Sequence, residues 1–317
     1  MRTIKEKEKI LIVGGTGFIG YHLIKEAKRK GLIVTSLSLH PPVTSRHETD
    51  VEYLFVDILK ENSVRNALKE KSYDYVVNLG GYIKHNLFKL GGRCHLEEHF
   101  TGTINLVENI SRDNLKSFIQ VGSSDEYGGA PSPQKECMRE SPISPYSLGK
   151  VCSAHFLQML NTSEQYPAII LRLFLTYGPG QNDKRFIPQV INNCLQAKEF
   201  SVSAGNQLRD FCYVEDVVNA ILLSLGNEQA IGQIFNVGSG MAVSIREVIE
   251  LVREKVGKGS PKFGQIPYRP GENMSLYANI EKAKNILDWA PKISLSRGID
   301  VTIKSLYDKS IETRLGI

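Results

Sequence analysis

Lys9-Ile10-Leu11-Ile12-Val13-Gly14-Gly15-Thr16-Gly17-Phe18-Ile19-Gly20 decides the fold. An apolar run of strand-forming residues enters three glycines spaced G-x-x-G-x-x-G, and an apolar-periodic segment, residues 21–30, follows at once. The order is strand, tight turn, helix. Glycine permits the turn, lets backbone approach a pyrophosphate, and lets the helix pack close on its strand. The first helical turn then aims unpaired N–H groups and a positive dipole end at the phosphates. Glycine spacing alone is weak evidence, because turns use glycine everywhere. With the strand before it and the helix after it, the stretch is a candidate dinucleotide site formed by Gly14, Thr16, Gly17, Phe18, Ile19 and Gly20.

Outward from this stretch the alternation continues. Residues 32–39, 51–56, 75–79 and 118–121 read as further strands, ending at His40-Pro41-Pro42, Asp57, Gly80-Gly81 and Gly122-Ser123-Ser124. Helical patterns over 63–71 and about 96–111 separate them. Strands alternating with helices predict an α/β fold with a Rossmann-type doubly wound parallel sheet. Ligands of such sheets lie at the carboxyl ends of the strands, which is where Gly14, Ser38, Asp57, Gly80 and Ser123 fall. A loop rich in Pro, Ser and Gly over 128–145 leads to a long helix, 145–165, a strand, 168–175, and the turn Tyr177-Gly178-Pro179-Gly180. Beyond it the alternation loosens into a helix from Ile187, a strand pair near 200–211, and helices over 214–225, 245–256 and 280–287. The expected organisation is a dinucleotide-binding domain over 1–178, to which 212–240 returns. A smaller α+β region, 179–211 and 241–317, covers the sheet's carboxyl edge.

Composition fits an ordinary globular chain: 317 residues, 41% hydrophobic, 23% charged, and no biased tract. That length can bury a large core. The net charge of +5 is modest, with lysines and arginines scattered among acids, so no nucleic-acid footprint appears. Cys94, Cys137, Cys152, Cys194 and Cys212 lie far apart with no C-x-x-C pair, which argues against a disulfide framework or a zinc site. The polar N-terminus leads straight into a strand rather than reading as a signal peptide, and no apolar run approaches the ~20 residues that span a bilayer. A cytoplasmic protein without metal, nucleic acid or membrane is the expectation.

Tyr146-Ser147-Leu148-Gly149-Lys150 sets a tyrosine and a lysine four apart on one helix face. Free tyrosine, with a pKa of ~10, is a poor base near neutrality. A neighbouring cation, joined by the charge of an oxidised nicotinamide, favours the phenolate. The tyrosine then accepts a proton from a carbinol as hydride leaves. By itself such a pair reads as an ordinary surface contact. Ser123-Ser124, at a strand's carboxyl end, supplies what the pair lacks: a hydroxyl that both donates and accepts can hold the substrate oxygen in either charge state.

In this combination the sequence resembles the extended short-chain dehydrogenases/reductases that act on nucleotide-sugars. The resemblance covers nearly the whole chain. It rests on the glycine turn, Asp57-Ile58, Gly122-Ser123-Ser124-Asp125-Glu126-Tyr127-Gly128, Tyr146 to Lys150, and Tyr177-Gly178-Pro179-Gly180-Gln181. Further matches are Arg209-Asp210-Phe211, Phe235-Asn236-Val237-Gly238, Arg269-Pro270-Gly271-Glu272 and Leu287-Asp288-Trp289. It implies a tightly held nicotinamide cofactor, a nucleotide-diphosphate sugar oxidised at C4 by Tyr146 with Lys150 and Ser123 or Ser124, and a place in surface-polysaccharide sugar biosynthesis. Lys150 would also hold the nicotinamide ribose, Asp57-Ile58 the adenine, and Leu79, Gly80 and Gly81 would complete the cofactor set. His85, Arg185, Arg209 and Arg269 form the candidate substrate set, and Arg209 and Arg269 match positions that clamp the diphosphate. Arginine suits that task because its rigid fork makes paired, charge-assisted bonds to phosphate oxygens. The helices over 96–111 and 145–165 resemble those that pair in a homodimer.

Within the family, Ser124-Asp125-Glu126 looks like the acid/base run of 4,6-dehydratases. However, Glu126 directly precedes Tyr127, and this shorter Ser-Ser-x-Glu-Tyr-Gly form is similar to that of GDP-linked 4-keto-sugar reductases. A GDP-linked hexose or heptose and simple C4 redox are therefore expected, with dehydration through Asp125 and Glu126 as the alternative. A non-catalytic cofactor-binding protein is the remote one. Ser38 stands where an acid would bind the adenosine ribose of NAD, which leaves NADP open. No arginine adjoins Ser38, and only His40 and Arg46 are near, so NAD is favoured. His99 replaces a usual asparagine, Leu175 replaces another, and 82–86 is unusual for the family.

Overall fold

The β-forming runs make a seven-stranded, all-parallel sheet in the computed structural model, which describes residues 7–268 and 271–315. The chain runs β1 (Lys9–Val13), α1 (Phe18–Arg29), β2 (Ile33–Ser38), β3 (Val51–Phe55), α2 (Glu61–Leu68), β4 (Tyr75–Asn78), α3 (Arg93–His99), α4 (Thr101–Asn109) and β5 (Ser117–Ser123). It continues with α5 (Pro145–Glu164), β6 (Ala168–Leu173), β7 (Leu175–Tyr177), α6 (Phe186–Leu195), β8 (Glu199–Ser201), β9 (Leu208–Arg209), β10 (Phe211–Tyr213) and α7 (Val214–Ser224). Last come β11 (Ile234–Val237), β12 (Val243–Ser244), α8 (Ile245–Val256), β13 (Ser260–Lys262), β14 (Ser275–Leu276), α9 (Glu281–Leu287) and α10 (Leu295–Leu315).

The sheet order is β11-β6-β5-β4-β1-β2-β3, so the direction of winding reverses beside β1. That reversal opens the crevice in which α/β sheets take ligands. Both faces are covered, which is why the strands read as continuous apolar runs. Alternate residues of β1 serve different cores, as a period of two demands. Ile10 and Ile12 pack with Leu23 and Ile24 of α1 and Val217 and Ile221 of α7. Leu11 and Val13 pack with Val64, Leu106 and Leu157 from α2, α4 and α5. A third core, around Ile191, Phe211, Ile249 and Ile299, joins α6, α8 and α10 to β10.

Four expectations change. The helix over 96–111 is two helices that break at Phe100, where the His99 carbonyl accepts the hydroxyls of Thr103 (2.6 Å) and Ser153 (2.7 Å). Hydroxyls that bond back to the backbone bend helices in this way. The strand over 168–175 ends at Leu173, and β7 leaves the sheet to pair with β10. Residues 200–211 form no strand pair with each other. β8 pairs with β13, and β9 lies between β12 and β14, long-range partners that a local pattern does not reveal. Finally, β11 and α10 go beyond the sequence expectation: β11 completes the main sheet against β6. Among the described residues, no helix is long and apolar enough to cross a membrane.

Candidate active site

The glycine turn depends on missing side chains. Gly14 has φ +79°, and a Cβ on Gly20 would sit 2.3 Å from the Gly14 carbonyl oxygen and 2.6 Å from the Gly15 Cα. Helix α1 can therefore start directly under the turn. Beside it lies a cavity of about 340 Å³ at the ends of β1, β2 and β4. Gly14, Thr16, Gly17, Ser38, Asp57, Ile58, Leu79, Gly80 and Gly81 line it. Phe18, Ile19 and Gly20 support it from α1 instead: Ile19 packs toward the core and Phe18 lies edge-on to His22. Ser38 spends its hydroxyl on the turn, accepting the Thr16 N–H at 3.2 Å. Arg46 is likewise engaged, donating to the carbonyls of Thr16 and Gly180.

Tyr146 sits in the first turn of α5, which begins with a Ser144 cap, a reciprocal bond from Ser147, and Pro145 at its first position. Lys150 lies one turn further on. Both are buried, and the Lys150 ammonium donates to the Val121 carbonyl at 2.7 Å. Burial pushes the Tyr146 phenol well above its ordinary value, the Asp125 charge pushes it further, and the Ser123 hydroxyl works against both. Burial also lowers Lys150 to about 8, opposed by Glu126. Ser123 is thus the strand-end hydroxyl at Tyr146, and it also accepts the Asp125 N–H at 3.2 Å. Ser124 is buried in the turn that follows.

The two acidic neighbours part ways. Glu126 is fully buried, with one oxygen accepting the Ser123 N–H at 2.7 Å and the other held by Arg172 Nε at 2.7 Å. Arg172 is itself fully buried, lies over the Tyr127 ring and also pairs with Glu140. The sequence candidacy of Glu126 as a free acid/base therefore ends in a structural ion pair. Asp125 instead faces the cleft, about a third exposed (34%), with His85 Nε2 3.7 Å from its carboxylate. Desolvation raises its pKa, while the charges of His85, Arg209 and Arg185 lower it.

Two imidazoles flank the tyrosine ring edge-on, His85 at 5.4 Å and His99 at 4.9 Å. His99 is buried and neutral, its pKa driven down to about 2 by burial and then by Lys150. Its Nε2 donates to the Tyr82 carbonyl at 3.2 Å, and its Nδ1 has no partner among the described residues. A Cβ on Gly81 would meet this ring at 2.3 Å, so the glycine and the unusual histidine fit together.

Arg209 pairs with Glu272 and donates to its neighbour's carbonyl, Leu208, at 2.8 Å. The adjacent Asp210 anchors it: its carboxylate accepts the N–H groups of Ser239 (2.6 Å), Gly240 (2.9 Å) and Ala278 (3.1 Å). Arg185 is exposed at the start of α6, and its charge reaches both Asp125 and Tyr146. Arg269 lies outside the described residues. Sequence reasoning missed Arg172, although one signal was there: a lone charge inside the apolar run Ala168–Leu173.

Known proteins match the sequence and the fold. Residues 10–238 match the model of the NAD dependent epimerase/dehydratase family. The chain is 28% identical to an uncharacterized UDP-glucose epimerase of Bacillus subtilis, over 94% of this chain and 99% of that one. It is 27% identical to a dTDP-glucose 4,6-dehydratase of Xanthomonas campestris, over 92% and 91%. Among solved structures, the UDP-glucuronic acid 4-epimerase of Bacillus cereus, in complex with UDP-glucuronic acid and NAD, superposes with a TM-score of 0.84 at 25% identity, covering 95% of this chain and 99% of that one.

Proposed function

Because the chain belongs to the NAD-dependent epimerase/dehydratase family, we propose that it oxidises C4 of a nucleoside-diphosphate sugar and either releases the 4-keto sugar or reduces it again on the other face. The observation that carries this reading is the buried Tyr146 beside Lys150 and Ser123, at the sheet edge that also holds the glycine-lined cavity.

The cavity suits NAD. Its turn has no room for a Cβ, and Arg46 is committed to backbone carbonyls rather than to a ribose phosphate, which outweighs the missing carboxylate at Ser38. The glycine turn would hold the pyrophosphate, Asp57 and Ile58 the adenine, and bound NAD supplies the hydride acceptor. Ser123 would hold the substrate's C4 oxygen and Tyr146 would take its proton; because burial and Asp125 raise the phenol, the phenolate would need the charge of the oxidised nicotinamide together with the Lys150 cation. Arg209 and Arg185, with the residues of the C-terminal α+β region, would receive the diphosphate. For Arg209 this means sharing or releasing Glu272. The short Ser-Ser-x-Glu-Tyr-Gly run favours GDP, whereas the Bacillus cereus neighbour carries UDP. A homodimer through α4 and α5 fits the exposed Leu148 and Met159 on α5, and sedimentation tests it.

The contact between His85 and Asp125 supports a second reading, 4,6-dehydration, with this pair in place of the buried Glu126. Incubation with GDP-, UDP- and dTDP-sugars, followed by mass, separates the readings. Loss of two hydrogens means dehydrogenation, unchanged mass with a new sugar means epimerisation, and loss of water means elimination. No conversion of any sugar, with NAD bound, would leave a binding protein and overturn both.

A further inference from the structure

We propose that α3 carries a zinc-class metal site made of Cys94, His95 and Glu98, separate from the catalytic groups and independent of the C4 reading. The donor atoms of these three side chains lie within 4.8 Å of one another. Positions 95 and 98 are three apart and 94 and 98 four apart, so the helix presents Glu98 to both partners.

The three donors are close enough to converge on one ion. Cys94 Sγ is 3.6 Å from His95 Nδ1, and His95 Nδ1 is 3.4 Å from Glu98 Oε2. A direct charge-assisted bond between imidazole and carboxylate would close to about 2.8 Å. Around a tetrahedral zinc, bond lengths of ~2.3 Å to sulfur and ~2.0–2.1 Å to nitrogen and oxygen put ligand atoms roughly 3.5 and 3.4 Å apart. The sulfur also lies 3.9 Å from His95 Nε2, against the side of the ring, so the imidazole would turn its edge toward an ion shared with Cys94 and Glu98, and the exposed Cys94 leaves room for water beside it.

Charge and chemistry point the same way. Thiolate, neutral imidazole and carboxylate together carry two negative charges, and this mixed set selects zinc-like ions over magnesium or calcium. The nearest cation on the helix, Arg93, is turned to Glu97 at 2.7 Å. The widely spaced cysteines hide such a site in the sequence because two of its three donors are not cysteine.

The site has a mechanical setting. Glu98 lines the cofactor cavity and accepts the Tyr82 N–H at 3.4 Å, and Cys94 donates to the Gly91 carbonyl at 2.9 Å. As a thiolate Cys94 has no proton left for the Gly91 carbonyl, so an ion held here would replace that bond while Glu98 keeps α3 tied to Tyr82 at the start of the segment that carries His85.

Cobalt(II) titration of the full-length, chelator-stripped protein tests the proposal. One equivalent should bind with a near-ultraviolet thiolate-to-cobalt band that zinc(II) abolishes. Cys94→Ser should remove the band, and Glu98→Gln should weaken binding by more than ~10-fold, the scale of losing even an outer-shell partner. Cys137→Ser, which alters another exposed cysteine, should change neither band nor affinity. No thiolate band in the parent protein, or a band that survives in Cys94→Ser, would overturn the site. Because NAD binding and sugar turnover are not the readout, failure here leaves the C4 reading standing, and the converse holds.

Discussion

The two sides of the cleft are built by opposite means. On the cofactor side, Gly14, Thr16, Gly17, Gly80 and Gly81 shape a cavity from backbone and small side chains. On the proposed substrate side, Tyr146, Lys150, Asp125, His85 and Arg209 would act through their side chains, each set by a charged or hydrogen-bonding neighbour. The first is a matter of volume and should fail when an atom is added. The second is a balance of charges in a poorly solvated place and should fail when one is removed.

The largest effect should come from the ion pair beneath the substrate side. Glu126→Leu leaves the buried Arg172 without its main partner and should lower unfolding free energy by about 3–5 kcal/mol, the scale for breaking a buried pair. Asp125→Asn, one residue away but a third exposed, should change stability by under ~1 kcal/mol. Urea unfolding of both variants reads this contrast; similar losses would mean that the two carboxylates do not divide as described. Next, Tyr146→Phe should reduce kcat by at least ~10²-fold, the usual scale for lost acid–base catalysis, with bound NAD retained. Near-normal turnover in that variant would end the proposed mechanism.

The same division explains what the sequence revealed. A site made by omission is local: Gly14, Gly17 and Gly20 are adjacent in the chain and flanked by their own strand and helix, so both fold and cradle can be read from one stretch. Tyr146 and Lys150 are four apart and equally legible. Glu126 was not, because its partner Arg172 lies 46 residues away and only the packed sheet brings the two together. His99 and Gly81 also depend on each other across a fold, and α3 breaks where hydroxyls from Thr103 and Ser153 converge on one carbonyl. Short strands such as β8 and β9 take long-range partners and leave almost no pattern of their own.

Gly20→Ala sharpens the cofactor side. Its new methyl meets the Gly14 carbonyl and the Gly15 Cα, both backbone, so the turn itself must move. Overpacking of this kind costs about 1–3 kcal/mol, which should appear as a roughly tenfold to hundredfold weaker NAD affinity by calorimetry. Residual single-turnover chemistry at saturating NAD should survive, since Tyr146 and Lys150 are untouched. Unchanged affinity would mean that close approach of α1 does not shape the site.

The finest test concerns the charge that the substrate side keeps at its own expense. Lys150 titrates at about 8 in the folded chain against 10.5 for an ordinary lysine, because burial disfavours its charged form. Below pH 8 the folded state therefore carries the full penalty. Between about 8 and 10.5 the unfolded chain holds the proton more tightly, so raising the pH relieves the penalty and stabilises the fold. Lys150→Met has no such proton to lose. Across pH 8 to 9 the parent protein should therefore gain about 1 kcal/mol relative to Lys150→Met, while groups common to both cancel in the difference. Parallel urea-unfolding curves at pH 7, 8 and 9 measure it. A difference that stays flat would show that the ammonium is better solvated than its burial beneath Tyr146 implies, and the charge balance attributed to this side of the cleft would have to rest on Arg209 and Arg185 instead.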